Sequence, residues 1–132
     1  MNKRAFSFLE LMIVLLIIGI LAAVAFPQFR VARQIALTRE AQANLKLIQA
    51  AEKIYGVEYT HYWTYANTSA INTGLRLDIP VSASPNWTYS VDAVTATNFR
   101  ARAVPSAIAG TTTWCIQRTQ LEPDATTSCN AP

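Results

Sequence analysis

From Leu11 to Pro27 the chain carries no charged side chain and no hydrogen-bonding side chain. No stretch of the sequence restricts the fold more. A helix that is apolar all round has no polar face to turn to water, so it needs lipid or other helices on every side. The run widens to Phe6–Phe26, FSFLELMIVLLIIGILAAVAF, 21 residues. At 1.5 Å per residue it spans ~31 Å, about the thickness of a bilayer's hydrocarbon core. A secretory signal peptide has a shorter apolar region followed by small residues at its cleavage site. Here the run continues past Pro27 into a helical pattern, so retention of the segment is expected. Lys3 and Arg4 favour a cytoplasmic N-terminus, and Arg30 and Arg33 on the far side partly offset that bias.

The rest of the chain reads as a soluble, Thr- and Ala-rich protein. A length of 132 residues suits one domain. A disordered chain, a coiled coil and a polytopic membrane protein are excluded by composition. The net charge of +3 weakens on inspection: without Lys3 and Arg4, nine basic residues face eight acidic ones. The basic balance therefore gives no reason to expect a nucleic-acid partner.

Glu10 is the misfit in the apolar run. An acid within a membrane helix is by default a functional residue awaiting a partner, the ordinary alternative being a carboxylate still solvated among headgroups. Its context decides between them. Lys3 to Leu11 reads K-R-A-F-S-F-L-E-L: a short basic leader, a small residue, Phe, and Glu four residues after that Phe, followed by the long apolar helix. This resembles the processing site of type IV prepilins and the related pseudopilins. The resemblance implies cleavage of the leader, residues 1–5, between Ala5 and Phe6 by a membrane-embedded peptidase. It also implies methylation of the new amino group on Phe6, and Glu10 pairing with the amino terminus of a neighbouring subunit. A lone carboxylate and a lone ammonium are each costly in an apolar environment, whereas a matched pair is tolerated and fixes axial register. The family usually has Gly before the cut; this chain has Ala5, also small. Gly19 and Pro27 follow, bounding what in the family is a weak stretch of helix, and Gly and Pro make such loosening cheap. Gly19 and Ala23 also form a small-xxx-small pair that lets helices approach.

Beyond Pro27, Leu37, Ala41, Leu45, Ile48, Ala51 and Tyr55 recur at spacings of 3 and 4, an amphipathic stripe. Arg39, Glu40, Lys46, Glu52 and Lys53 are expected mostly off it. The helix should end at Gly56 or in the aromatic cluster after it. Fifty residues of helix would be ~75 Å long, more than a small domain needs for its own core. The first half must then be buried by lipid or by other copies. Residues 60–86 read as an irregular connection with Asn67, Thr68, Ser69, Gly74, Pro80 and Pro85 as turn formers. Tyr59, Tyr62, Trp63 and Tyr65 crowd its start. They suit a stacking platform for DNA or a surface ligand, but pinning of the loop against the helix is the preferred reading. His61 has no metal-ligand spacing around it and is expected at the surface.

Three strand candidates follow. Trp87, Tyr89 and Val91 alternate with polar residues, then Phe99, Ala101 and Ala103, then Trp114 and Ile116 within 112–118. Short links predict an antiparallel meander with its apolar face on the C-terminal half of the helix. Cys115 and Cys129 lack CxxC spacing or a His partner, so in an exported chain one disulfide is expected, two free thiols being the alternative. A loop of about 15 residues would gain ~3 kcal/mol from that closure. The resemblance implies that this disulfide bounds a surface loop, residues 116–128.

No catalytic constellation, metal site or cofactor motif is found. The expected fold is α+β: a long N-terminal helix, apolar then amphipathic, packed on a small antiparallel sheet. Residues 6–29 form the membrane and filament-core half, and residues 30–132 the rest of the helix with the head. The resemblance implies a type IV pilus subunit, made as a single-pass inner-membrane precursor and assembled into a helical homopolymer at the cell surface for adhesion, motility or DNA uptake. Its implied partners are its own copies, the prepilin peptidase and methylase, and the pilus assembly platform. The alternatives are a type II secretion pseudopilin and a low-copy minor pilin that binds DNA or a surface ligand. The C-terminal cysteine pair and the lack of an acidic calcium loop favour the first over the second. The small, nearly neutral head disfavours the third.

Overall fold

The structure, a computed structural model, describes residues 7–81 and 85–125. Helix α1 runs Phe8–Tyr59 over 52 residues with Pro27 inside it. A short helix α2 follows at Thr68–Leu75. Strands β1 (Trp87–Asp92), β2 (Arg100–Pro105) and β3 (Trp114–Gln117) complete the order. The chain divides into two compact units, Met1–Ile35 and Ala36–Pro132, so α1 contributes to both.

In the second unit the strands form one antiparallel sheet in the order β1-β2-β3, as the alternation predicted. Tyr89 lies opposite Ala103, Val91 opposite Ala101, and Ala101 opposite Ile116. Period-two geometry puts these side chains on one face. That face packs with Leu37, Ala41, Leu45 and Ile48 of α1 into a single core, which Phe99, Tyr65, Ile71 and Ile79 join. The alanines of β2 allow close approach where the bulky residues of β1 crowd the core. Two polar contacts fix the helix on the sheet: the Trp87 indole N–H donates to the Leu37 carbonyl at 2.9 Å, and the Asn44 amide donates to the Tyr89 hydroxyl at 2.9 Å. Burial, partly offset by the Asn44 bond and reinforced by Glu40, pushes the Tyr89 phenol up to about 12.

Both edges of the sheet are met by loop backbone. Tyr65 bridges to Val91 on the outer side of β1, with N–O distances of 2.9 and 2.8 Å, and Asp124 bridges to Cys115 on the outer side of β3, at 3.0 and 2.8 Å. On the face away from α1, Asp92 takes hydrogen bonds from Arg100 (2.7 Å) and Arg102 (3.1 Å). Partial burial alone would raise the Asp92 carboxyl, but these two guanidinium groups outweigh it and hold it below its ordinary value.

Two expectations need correction. The connection 60–86 is not wholly irregular, because α2 lies inside it. Asn67 caps that helix, its side-chain oxygen accepting the Ala70 N–H at 2.9 Å, so the polar run that read as a turn is a helix start. Arg76 closes it in the left-handed region, φ 54°. Secondly, Glu52 is not off the buried stripe; it is fully buried. Ala51 and Tyr55, expected on the stripe, are only half-buried. The apolar face has rotated slightly, so that Gln49 and Glu52 point inward in the last turns of α1.

Candidate functional site

The residues implied for processing and assembly lie at the N-terminal end of α1 or outside the described residues. Ala5 and Phe6 are outside them. Glu10 sits in the first turn of α1, where the helix dipole favours a carboxylate. It is exposed and forms no ion pair among the described residues. Gly19 is open: a Cβ built there meets nothing within 4 Å. Pro27 lies inside the helix and, lacking an N–H, leaves the Ala23 carbonyl without its helical donor.

Helical geometry sorts these positions onto two sides. Gly19, Ala23 and Pro27 follow at intervals of four and line one face. Glu10, nine residues before Gly19, lies about 180° around the helix from it, at 100° per residue. Glu10 thus lies opposite Gly19, about 140° from Ala23 and about 100° from Pro27. Around these positions, no residue from Ser7 to Ala36 is buried. Phe8 is 76% exposed, Leu21 65% and Phe29 68%. The helix is long and apolar enough to cross a membrane. Chemically, this surface supplies apolar area in all directions and one carboxylate, which suits packing against several identical helices.

The head offers fewer candidates. Cys115, on β3, is disulfide-bonded; Cys129, the other cysteine of the chain, lies outside the described residues. Ile116, placed by the resemblance on the outer loop, is fully buried, so the exposed surface of that segment begins at Arg118. Gln49 ties this turn to α1, its amide donating to the carbonyls of Gln117 and Gln120. The sequence pattern gave no sign of that clamp, because a glutamine on a helix reads as solvated.

The aromatic cluster divides. Tyr62 rests on Phe99, ring centres 5.0 Å apart, and over Gly56; Tyr65 is buried against Gly74. These two pin the loop as expected. Tyr59 and Trp63 stay about half exposed, and rings run Tyr59, Tyr55, His61, Trp63 at centre distances of 4.5, 5.9 and 5.9 Å. His61 is exposed, as expected. A cleft of about 410 Å³ lies beside this row, lined by Tyr55, Glu58, Tyr59, Thr73 and Arg76 among others. Among the described residues there is no group of three His, Cys, Asp or Glu able to hold a metal ion.

The family model of the prokaryotic N-terminal methylation motif matches residues 1–26. That interval holds Ala5, Phe6, Glu10 and Gly19 and stops one residue short of Pro27. The chain is also 44% identical over 85 residues to the type IV major pilin protein PilA of Myxococcus xanthus (strain DK1622). The chain is thus similar to type IV pilins, in its N-terminal motif and over these 85 residues. Its long helix on a three-stranded antiparallel sheet is the α+β fold expected of a pilin. The match covers 63% of this chain and 39% of the relative, so the chain spans about two fifths of the length of the pilin it resembles.

Proposed function

We propose that this chain is the structural subunit of a type IV pilus. The observation that carries the reading is the continuous apolar surface of Leu11–Pro27, unburied on every side within its own chain. Such a surface needs lipid before assembly and identical helices after it. The placement of Glu10 about 180° from Gly19 and about 140° from Ala23 supports contacts with different neighbours on the two sides. Contacts of that kind are head-to-tail and build open fibres.

In this reading the precursor sits in the inner membrane by one span, with residues 1–5 as a leader. Prepilin peptidase cuts between Ala5 and Phe6, and the amino group of Phe6 is methylated. At the assembly platform Glu10 pairs with the amino terminus of an adjacent subunit, and the stretch from Gly19 to Pro27 loosens within the filament. Residues 6–29 form the core of the fibre and residues 30–132 its outer layer, where Cys115 and Cys129 close the C-terminal loop. The chain acts by polymerising, not as an enzyme, and the filament serves adhesion, motility or DNA uptake. Identity to a major pilin supports the abundant subunit over a pseudopilin or a minor one.

The deciding experiment is mass spectrometry of the N-terminal peptide from protein sheared off the cell surface. The reading expects an abundant peptide that begins with methylated Phe6. Processed protein confined to the membrane would replace it with a pseudopilin or minor subunit, and an intact Met1 leader in the sheared fraction would remove the assembly argument.

A further inference from the structure

Glu52 lies in the last turns of α1 with no exposed surface, and neither carboxylate oxygen has a partner at full hydrogen-bond geometry, the Trp63 backbone amide making at most a weak contact. An unpaired buried charge is among the most destabilising arrangements a small domain can hold. The strap from Thr60 to Ala66, which links α1 to α2, comes near it, since the Trp63 backbone and the Tyr65 phenol both interact with its carboxylate. The strap leaves the helix through Thr60, a β-branched residue held at φ 63°, a left-handed conformation that such residues resist. It is fastened at its far end by the two Tyr65–Val91 backbone hydrogen bonds. Tyr62 and Tyr65 lie between these points, seated over Gly56 and Gly74.

Charged and titratable groups stand on every element around Glu52: Lys53, Tyr55 and Glu58 on α1, His61 and Tyr65 on the strap, Arg76 after α2, Asp92 with Arg100 and Arg102 on the sheet, and Arg118 in the turn after β3. None of the cations offsets its burial. Desolvation raises the Glu52 carboxyl to about 7, and the Trp63 backbone amide, the nearest donor, lowers it only in part. The Tyr65 phenol feels the pair in turn, pushed up to about 12 by its own burial, then by Glu52 and Tyr55.

We propose that Glu52 is a proton-operated latch: with its proton held, the strap stays seated on α1, and loss of the proton is coupled to local opening of the strap. Opening wets the carboxylate, relieves Thr60, and uncovers the apolar seats of Tyr62 and Tyr65, an aromatic surface that the closed head hides. The coupling has a definite sign. An acid whose value is raised in the closed state holds that state best at low pH. The advantage is complete below the ordinary carboxylate value of 4.5, is lost as pH rises from there to about 7, and changes no further above that.

The test is amide hydrogen exchange of Tyr65 and Val91 in the full chain in detergent micelles, from pH 5 to pH 8, corrected for intrinsic exchange. Protection in the unaltered protein should fall by roughly tenfold per pH unit up to about pH 7 and then level off. In Glu52→Gln it should stay flat across the range, while His61, Asp92 and Glu58 remain in place as internal controls. A flat profile in the unaltered protein, or the same slope in both proteins, overturns the latch. If Glu52→Gln fails to fold, the side-chain carboxyl of Glu52 is titrated by carbon NMR in the unaltered protein. A midpoint near 4.5 overturns the proposal, and one near 7 that tracks the opening of the strap sustains it.

Discussion

One helix, α1, is solved by two different environments. From Ala36 to Tyr59 it has an inside and an outside: Leu37, Ala41, Leu45 and Ile48 disappear beneath the sheet while Lys46 and Lys53 face water. From Phe8 to Ile35 it has no inside at all, and side chains of the same kinds stand in the open on every face. The first stretch is stabilised by its own chain and the second only by something else. Apolar residues therefore encode folding in one stretch and association in the other, and what separates the two meanings is whether polar residues break the pattern every three or four positions.

The sharpest way to break this comparison is to alter one residue of each kind and ask which property fails. Glu10→Ala is expected to reduce filaments to background while leaving membrane insertion and head stability unchanged. On the proposed pairing it would leave an ammonium unpaired at each subunit contact, worth about 3–5 kcal/mol; shearing assays and membrane fractionation check it, and normal filaments from the variant would refute the pairing. Leu45→Ala should do the reverse. Leu45 has no exposed surface, so the head should lose about 2–5 kcal/mol in thermal or denaturant unfolding, with insertion unaffected.

A pair of glycines sharpens the contrast. A Cβ at Gly74 would lie 2.2 Å from the Tyr65 ring, whereas one at Gly19 meets nothing. Gly74→Ala should destabilise the head by about 1–3 kcal/mol through overpacking. Gly19→Ala should leave unfolding of the head untouched and, on the proposed packing of copies along this face, lower filament yield. The smallest effect belongs to a local device: Asn67→Ala removes the α2 cap and should cost about 1 kcal/mol of head stability, read as a shift in the unfolding midpoint with filament yield preserved.

The contrast also explains how much could be read from the sequence. The apolar half of α1, the stripe from Leu37 to Ile48 and all three strands were legible, because each repeats a period long enough to stand above chance. So was the N-terminal motif, whose residues lie within 26 positions of one another. Helix α2 was not, since eight residues hold barely two turns and its cap, Asn67-Thr68-Ser69, is also turn chemistry. Gln49 and Glu52 were missed for a different reason. Polar residues on a helix are normally solvated; the turn after β3, remote in sequence, brings carbonyls to Gln49, and Glu52 is buried by the fold with no sign in its own segment.

The two bridges at the margins of the sheet, Tyr65 to Val91 and Asp124 to Cys115, bear on crowding. A three-stranded sheet has two open borders, and proteins concentrated side by side are prone to join there, strand to strand, without limit. Here a loop residue already occupies a pairing position on each border, so a neighbour arriving at either finds part of the template used. Growth by strand addition is thereby discouraged at both borders.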